Sequence, residues 1–292
     1  MVRLRFSLEL AYQIGEWPCD FIFNVQAAHT PCQRILNERL SITQPVPCTH
    51  YTDVSGNRFM RLRAERGALT VRYEATVDIR HYVDQPDQLM ELPIAQLPAE
   101  VLPFLYPSRY CESDALHVFA AREFGALPKG YSRVLAIQRW VRSRMTFKSG
   151  VSNPNTSALN SIQQGAGVCR DFAHLMIAMC RAVNIPARFT SGIDYGADPA
   201  LGPTDFHAYV EVFLSHRWYL FDPSGTAIPM GFVRFGSGRD AADVSFATIF
   251  GGLQSFVPVL HIEAIADPAQ GLDMPRHRPE ALSTDAGFGS AV

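Results

Sequence analysis

The sequence predicts an α+β protein: an all-β, sandwich-like unit followed by a core in which helices precede an antiparallel sheet. Three observations carry this. Residues 1–85 alternate polar and apolar side chains, with turn-rich breaks and no helical run. Helical periodicity begins only after residue 110. From Ala187 onward the pattern returns to strands. Helices followed by strands, rather than a strict β-α-β alternation, is the signature of the α+β class.

The first strand is read from "RLRFSLELAY", which puts Leu4, Phe6, Leu8 and Leu10 on one face. "DFIFNVQAA", "CQRILNERLSIT" and "RFMRLRAERGALTVRYEATVDI" continue the alternation, split by turns such as "TDVSGN". Residues 86–110 are proline-rich and predict a connection laid over a surface. "CESDALHVFAAREFG" starts on Ser and Asp and ends on glycine, so it predicts a helix. "GYSRVLAIQRWVRSRMTF" predicts a second, with Val134, Ile137, Trp140 and Val141 on one stripe. A third begins near Val168. Strands are then expected at "ARFTSGID", "FHAYVEVFL", "RWYLFDPSG" and "SFVPVLHIEAIA". The expected organisation is a β unit over 1–85, a connection over 86–110, a helix-then-strand core over 111–266, and a flexible tail over 267–292, where large apolar groups become scarce.

Composition excludes several classes of function. The chain has 292 residues, 47% hydrophobic and 18% charged, with a net charge of -2. That balance supplies no basic stripe for nucleic acid and no attraction to an anionic membrane surface. No apolar run approaches the roughly 18 residues of a membrane span. The N-terminus alternates instead of forming an apolar signal-peptide segment, which points to the cytoplasm. The six cysteines form no C-x-x-C pair and no disulfide framework, and their spacing does not suit zinc.

One cysteine stands apart. In "GAGVCRDFAHLMIAMCRAVNIPAR", Cys169 follows two glycines and opens an apolar helical run that ends at Asn184 and Pro186. Unpaired N–H groups and the positive end of the dipole favour a thiolate at a helix start. The same N–H groups can serve as an oxyanion hole. Cys180, eleven residues on and on nearly the same helix face but roughly 16 Å further along the axis, cannot share that site and reads as core.

A nucleophilic thiol needs a base. His174 lies five residues on, about 140° round the helix from Cys169, and reads as structural. His207 sits mid-strand in "FHAYVEVFL", on the face shared by Tyr209 and Glu211. Asp222 closes the next strand, "RWYLFDPSG". An antiparallel pairing near 214/217 would put His207 within reach of Asp222. Asp222 could simply bond its own turn. Taken together, the three residues follow the order of nucleophile, base and orienter.

These segments resemble the core of the bacterial transglutaminase-like superfamily, which is papain-like in fold. His207 stands 38 residues after Cys169 (207 − 169) and Asp222 stands 15 after His207 (222 − 207), which fits the family pattern. "LYPSRYCESDAL" and the N-terminal β region resemble the two-part members of the family. The resemblance implies a catalytic triad of Cys169, His207 and Asp222, with no metal or organic cofactor. Where the family usually has tryptophan two residues after the histidine, this chain has Tyr209. It also suggests two side-chain oxyanion donors. Trp140 lies upstream of the cysteine, as the tryptophan of animal transglutaminases does. Gln163 stands six residues before it, as a papain glutamine does, although the superfamily is circularly rearranged relative to papain. The implied function is thiol-dependent amide hydrolysis of a peptide or protein through a thioester. The alternatives are acyl transfer to an amine and a catalytically inactive binding module.

Overall fold

A computed structural model describes residues 1–197, 200, 204–285 and 287. Two antiparallel sheets build the β unit. The first orders strands Leu253–Ser255, Val2–Ile14, Gly67–Ile79 and Gln33–Ile42, with Val259–Ile265 also pairing to Val2–Ile14. The second orders Ala247–Phe250, Cys19–Phe23, Arg58–Ala64 and Cys48–Thr52. Leu4, Phe6, Leu8 and Leu10 are all buried on one face, and they meet Phe21, Phe23, Met60 and Leu62 of the other sheet. This is the two-layer packing that the alternation implies.

The β unit does not end at residue 85. Strand 259–265, expected as part of the core, returns to it together with strands 247–250 and 253–255, for which no expectation was made; the three pair with Val2–Ile14 and Cys19–Phe23. Strand 2–14 would otherwise show a long open edge. Period-2 alternation marks a segment as a strand but says nothing about which sheet receives it.

The connection over 86–110 runs as short 3₁₀ turns, and its Val101 packs against Phe213 and Trp218 on one side of the core sheet. Four α-helices follow among the described residues: α1 (Ser113–Phe124), α2 (Tyr131–Arg144), α3 (Ala158–Gln164) and α4 (Cys169–Ala182). Helix α3 lies in a Ser/Asn-rich stretch without apolar periodicity. Its start is capped locally, the Ser157 N–H donating to Asn160 Oδ1 at 3.1 Å. Helix α4 is buried from Asp171 through Ala182 and packs against the other three helices and the sheet. It ends at Asn184, whose φ of 62° is the left-handed value that asparagine tolerates.

The core sheet orders Arg217–Phe221, Phe206–Leu214, Ala187–Asp194 and Phe232–Gly238, all antiparallel. The last strand, "FVRFGSG", was not foreseen. It is buried along its whole length, with Val233 and Phe235 packed into the β unit's core. Between the units, Glu211 accepts from Arg188 at 2.7 Å and from Arg234. Arg234 also donates to Thr284 at 2.9 Å, and Arg188 to Asp285.

The segment expected as a flexible tail therefore carries structure. Ala281–Ser283 is buried and pairs with Tyr82–Asp84. Two buried arginines against Glu211 alone would leave a net charge in the interior, and Asp285 supplies the second anion. Of the tail, 286 and 288–292 lie outside the described residues. Among the described residues, no helix is long and apolar enough to cross a membrane.

Candidate active site

Cys169 is the first residue of α4 and is partly exposed. The N–H of Val168 donates to Asp171 Oδ2 at 2.8 Å, which caps the helix from inside its first turn. Gly167 makes room for that cap: a Cβ there would come within 2.7 Å of the Asp171 side chain. Gly165, at φ 62°, ends α3 in the left-handed conformation and starts the turn into the cysteine. The Cys169 N–H finds no acceptor among the described residues and so remains available at the helix start.

The strand Phe206–Leu214 brings His207 to that helix end. The Cys169 thiol lies 3.8 Å from the Phe206 carbonyl, and the sulfur faces the imidazole. Gly192 sits opposite His207 on the neighbouring strand, where a Cβ would strike the Val233 carbonyl and the Phe232 ring. The strands pair Leu214 with Arg217 and Val210 with Phe221, the register expected from sequence. Asp222 follows directly. His207 Nε2 stands 3.6 Å from Asp222 Oδ1, an ion-pair separation longer than a hydrogen bond. Nε2 has no other partner, so Nδ1 is the ring nitrogen left for the sulfur.

Both residues are more than nine-tenths buried. Burial opposes charge on His207, but Asp222 and Cys169 override it and raise the imidazole well above its ordinary range. Burial likewise opposes ionisation of Asp222, yet His207, Ser224 and the Ala227 N–H hold its carboxyl below the usual value. Asp222 bonds its own turn and also faces the imidazole. Its Oδ1 accepts from Ser224 N at 3.0 Å and Ser224 Oγ at 2.5 Å, its Oδ2 from Ala227 N at 3.1 Å, and it still faces His207.

Neither side-chain oxyanion candidate hydrogen-bonds to the triad residues, and the buried Trp140 Nε1 has no hydrogen-bond partner among the described residues. Gln138 of α2 is turned toward the site, its Nε2 donating to the Asp222 carbonyl at 2.6 Å. Trp140 lies two residues on, about 200° round the helix. It packs on Phe119 and Phe124 of α1 at ring separations of 5.4 and 5.9 Å. Gln163 is exposed on α3. His174 is fully buried, accepts from the Ala241 N–H at 3.2 Å and stacks on Tyr110 at 4.9 Å. Cys180 is buried among apolar groups, and burial raises its thiol far above the ordinary range. Ser224, Ala227 and Gln138 support the site but carry no sequence signal beyond the "DPSG" turn. Among the described residues, no cluster of three or more His, Cys, Asp or Glu could hold a metal ion.

Residues 119–223 match the transglutaminase-like superfamily, and residues 2–100 match the bacterial transglutaminase N-terminal domain. The "Uncharacterized protein ML0607" of Mycobacterium leprae is 33% identical over 258 residues, covering 84% of this chain and 91% of that protein. The "Uncharacterized protein Rv2569c" of Mycobacterium tuberculosis is 31% identical over 147 residues, covering 45% of this chain and 46% of that one. A crystal structure described as "a Putative Cysteine Protease from Cytophaga hutchinsonii" superposes with a TM-score of 0.90 at 38% identity, over 97% of both chains. The chain belongs to the transglutaminase-like superfamily, with a bacterial-type N-terminal β domain.

Proposed function

We propose that this protein is a thiol-dependent amide hydrolase working through Cys169, His207 and Asp222. The observation that carries the reading is the buried imidazole of His207, set between a sulfur at a helix start and a carboxylate. His207 Nδ1 takes the Cys169 proton, giving a thiolate–imidazolium pair. The sulfur attacks an amide carbonyl, and the C–N bond of the tetrahedral adduct breaks as the imidazolium protonates the departing amine. The oxyanion is held by the Cys169 N–H at the positive end of α4. A thioester remains on the sulfur. Water, deprotonated by His207, then adds to it and releases the acid and the thiol. Asp222 fixes the ring tautomer and stabilises the charged form. The description of the Cytophaga hutchinsonii structure as a cysteine protease supports hydrolysis over transfer.

The test has two parts. Iodoacetamide at pH 6, read by peptide mass mapping, is expected to label Cys169 ahead of the other five cysteines. Incubation with a peptide library, with and without a labelled primary amine, is expected to give cleavage. Amine incorporation without cleavage would establish acyl transfer instead, and neither labelling nor turnover would leave a binding module.

A further inference from the structure

His207 is braced on a side the triad does not account for. Tyr209 lies two residues along the same strand and on the same face. Its ring meets the imidazole edge-on, with centroids 4.9 Å apart at 73°. Tyr209 is itself fully buried, and Phe232 packs on it at 4.4 Å. Its hydroxyl donates to Asp194 Oδ2, on the neighbouring strand. Asp194 is 2% exposed, and its Oδ1 accepts from the Ile228 N–H at 3.3 Å.

The turn after Asp222 ties these pieces together. Consecutive backbone N–H groups serve two different carboxylates: Ala227 N–H donates to Asp222 and Ile228 N–H to Asp194. The imidazole and the tyrosine ring lie between those carboxylates. Moving either carboxylate would pull on the same turn, and through it on the other.

We propose that Tyr209 and Asp194 are positioning residues for His207, a second carboxylate arm that holds the imidazole against Cys169 and supports its charged form. The proposal rests on the thiol–imidazole reading above. Asp194 touches neither the sulfur nor a substrate atom; it acts through Tyr209 and through its field. The charged or titratable groups around it are His207 and Tyr209 on the adjoining strand and Asp222 on the turn, with Cys169 on α4 beyond the tyrosine. Burial pushes the Asp194 carboxyl up to about 7, against the pull of His207 and Tyr209. Its negative charge is therefore present mainly above neutral pH, where the imidazolium would otherwise be lost.

Two substitutions separate this from ordinary packing. In Asp194→Asn the amide oxygen can still accept from Ile228 N–H, and the amide nitrogen can donate to the tyrosine oxygen, which reverses the direction of that bond. It removes the charge and the acceptor of the Tyr209 hydroxyl. Tyr209→Phe keeps the ring against His207 and removes the link to Asp194. The full chain, ¹⁵N-labelled at histidine, is titrated by NMR, with the His207 resonance assigned by its loss in His207→Gln. Absorbance at 240 nm follows the Cys169 thiolate, corrected against Cys169→Ala.

In both variants the pH at which His207 loses its ring proton is expected to fall by about half a unit or more, while the thermal midpoint shows a folded chain. A midpoint within about 0.2 unit of the parent in a folded variant overturns the proposal and leaves the thiol–imidazole reading standing. The underlying reading is judged in the unsubstituted chain alone. A neutral His207 with no 240 nm signal at pH 7 there removes that reading, and the proposal with it.

Discussion

Replacing Asp222 by asparagine tests the central ion pair most directly. The Nε2–Oδ1 separation is 3.6 Å, and both groups are more than nine-tenths buried. Two unit charges near 4 Å attract by about 4 kcal/mol at an effective dielectric of about 20. At about 1.4 kcal/mol per decade, that is close to three powers of ten in the imidazolium population. The asparagine oxygen still presents a dipole to Nε2 and can still accept from Ser224, so part of the effect is retained. The rate of Cys169 alkylation by iodoacetamide at pH 6 is therefore expected to fall about a hundredfold. The assay is the second-order rate constant, followed by mass spectrometry of the Cys169 peptide, with the other five cysteines as internal standards. The pH dependence has a definite sign. Asp222 raises the His207 value, so its removal takes charge from the imidazole first at the alkaline side and then toward neutrality. An alkylation rate within threefold of the parent, in a folded variant, would refute the claim that this carboxylate stabilises the charged pair.

Other substitutions have equally definite outcomes. His207→Ala should remove the preference for Cys169 in the same labelling experiment, because the base facing the sulfur is gone. Trp140→Phe should leave the rate of peptide cleavage within twofold, since the Trp140 ring packs on Phe119 and Phe124 of α1; a loss of tenfold or more would return it to the oxyanion hole. Glu211→Gln should destabilise the chain by about 3–5 kcal/mol in urea unfolding, because it removes one of the two anions facing Arg188 and Arg234. An effect under about 1 kcal/mol would show that Asp285 alone suffices. His174 is fully buried, and its protonation is pushed well below 6.5 by burial and by Arg170 and Arg181. The unfolded chain takes up that proton near 6.5 and the folded chain does not, so stability should decline as pH falls below 6.5. His81, whose value burial lowers to about 4, acts in the same direction. His174→Phe should flatten the decline in thermal midpoint between pH 6.5 and 5, and an unchanged slope would assign it to other groups.

The sequence by itself determined the α+β class, the cysteine at its helix start, and the order of cysteine, histidine and aspartate. Each of these is local. Side-chain alternation, helical spacing with its stop at Asn184 and Pro186, and a tight turn at "LSHR" all act over a few residues, and the turn alone sets the 214/217 register that aims His207 at Asp222. Tertiary structure decided everything that depends on which partner a segment finds. Strands 247–265 alternate like any others, yet they close the edge of a sheet built from the first residues of the chain. The segment after 266 looks too polar to fold, but two buried arginines attract its Asp285 and Thr284. Gln163 satisfies a spacing rule and Trp140 lies upstream of the cysteine, but the Trp140 ring packs on α1 and Gln163 is exposed. Asp194 shows the same limit most sharply. Nothing adjacent in sequence marks it, because its role comes from a tyrosine fifteen residues away and a backbone N–H thirty-four residues away. Periodicity can be read one residue after another; charge compensation and edge closure are long-range conditions, met only when the whole chain has folded.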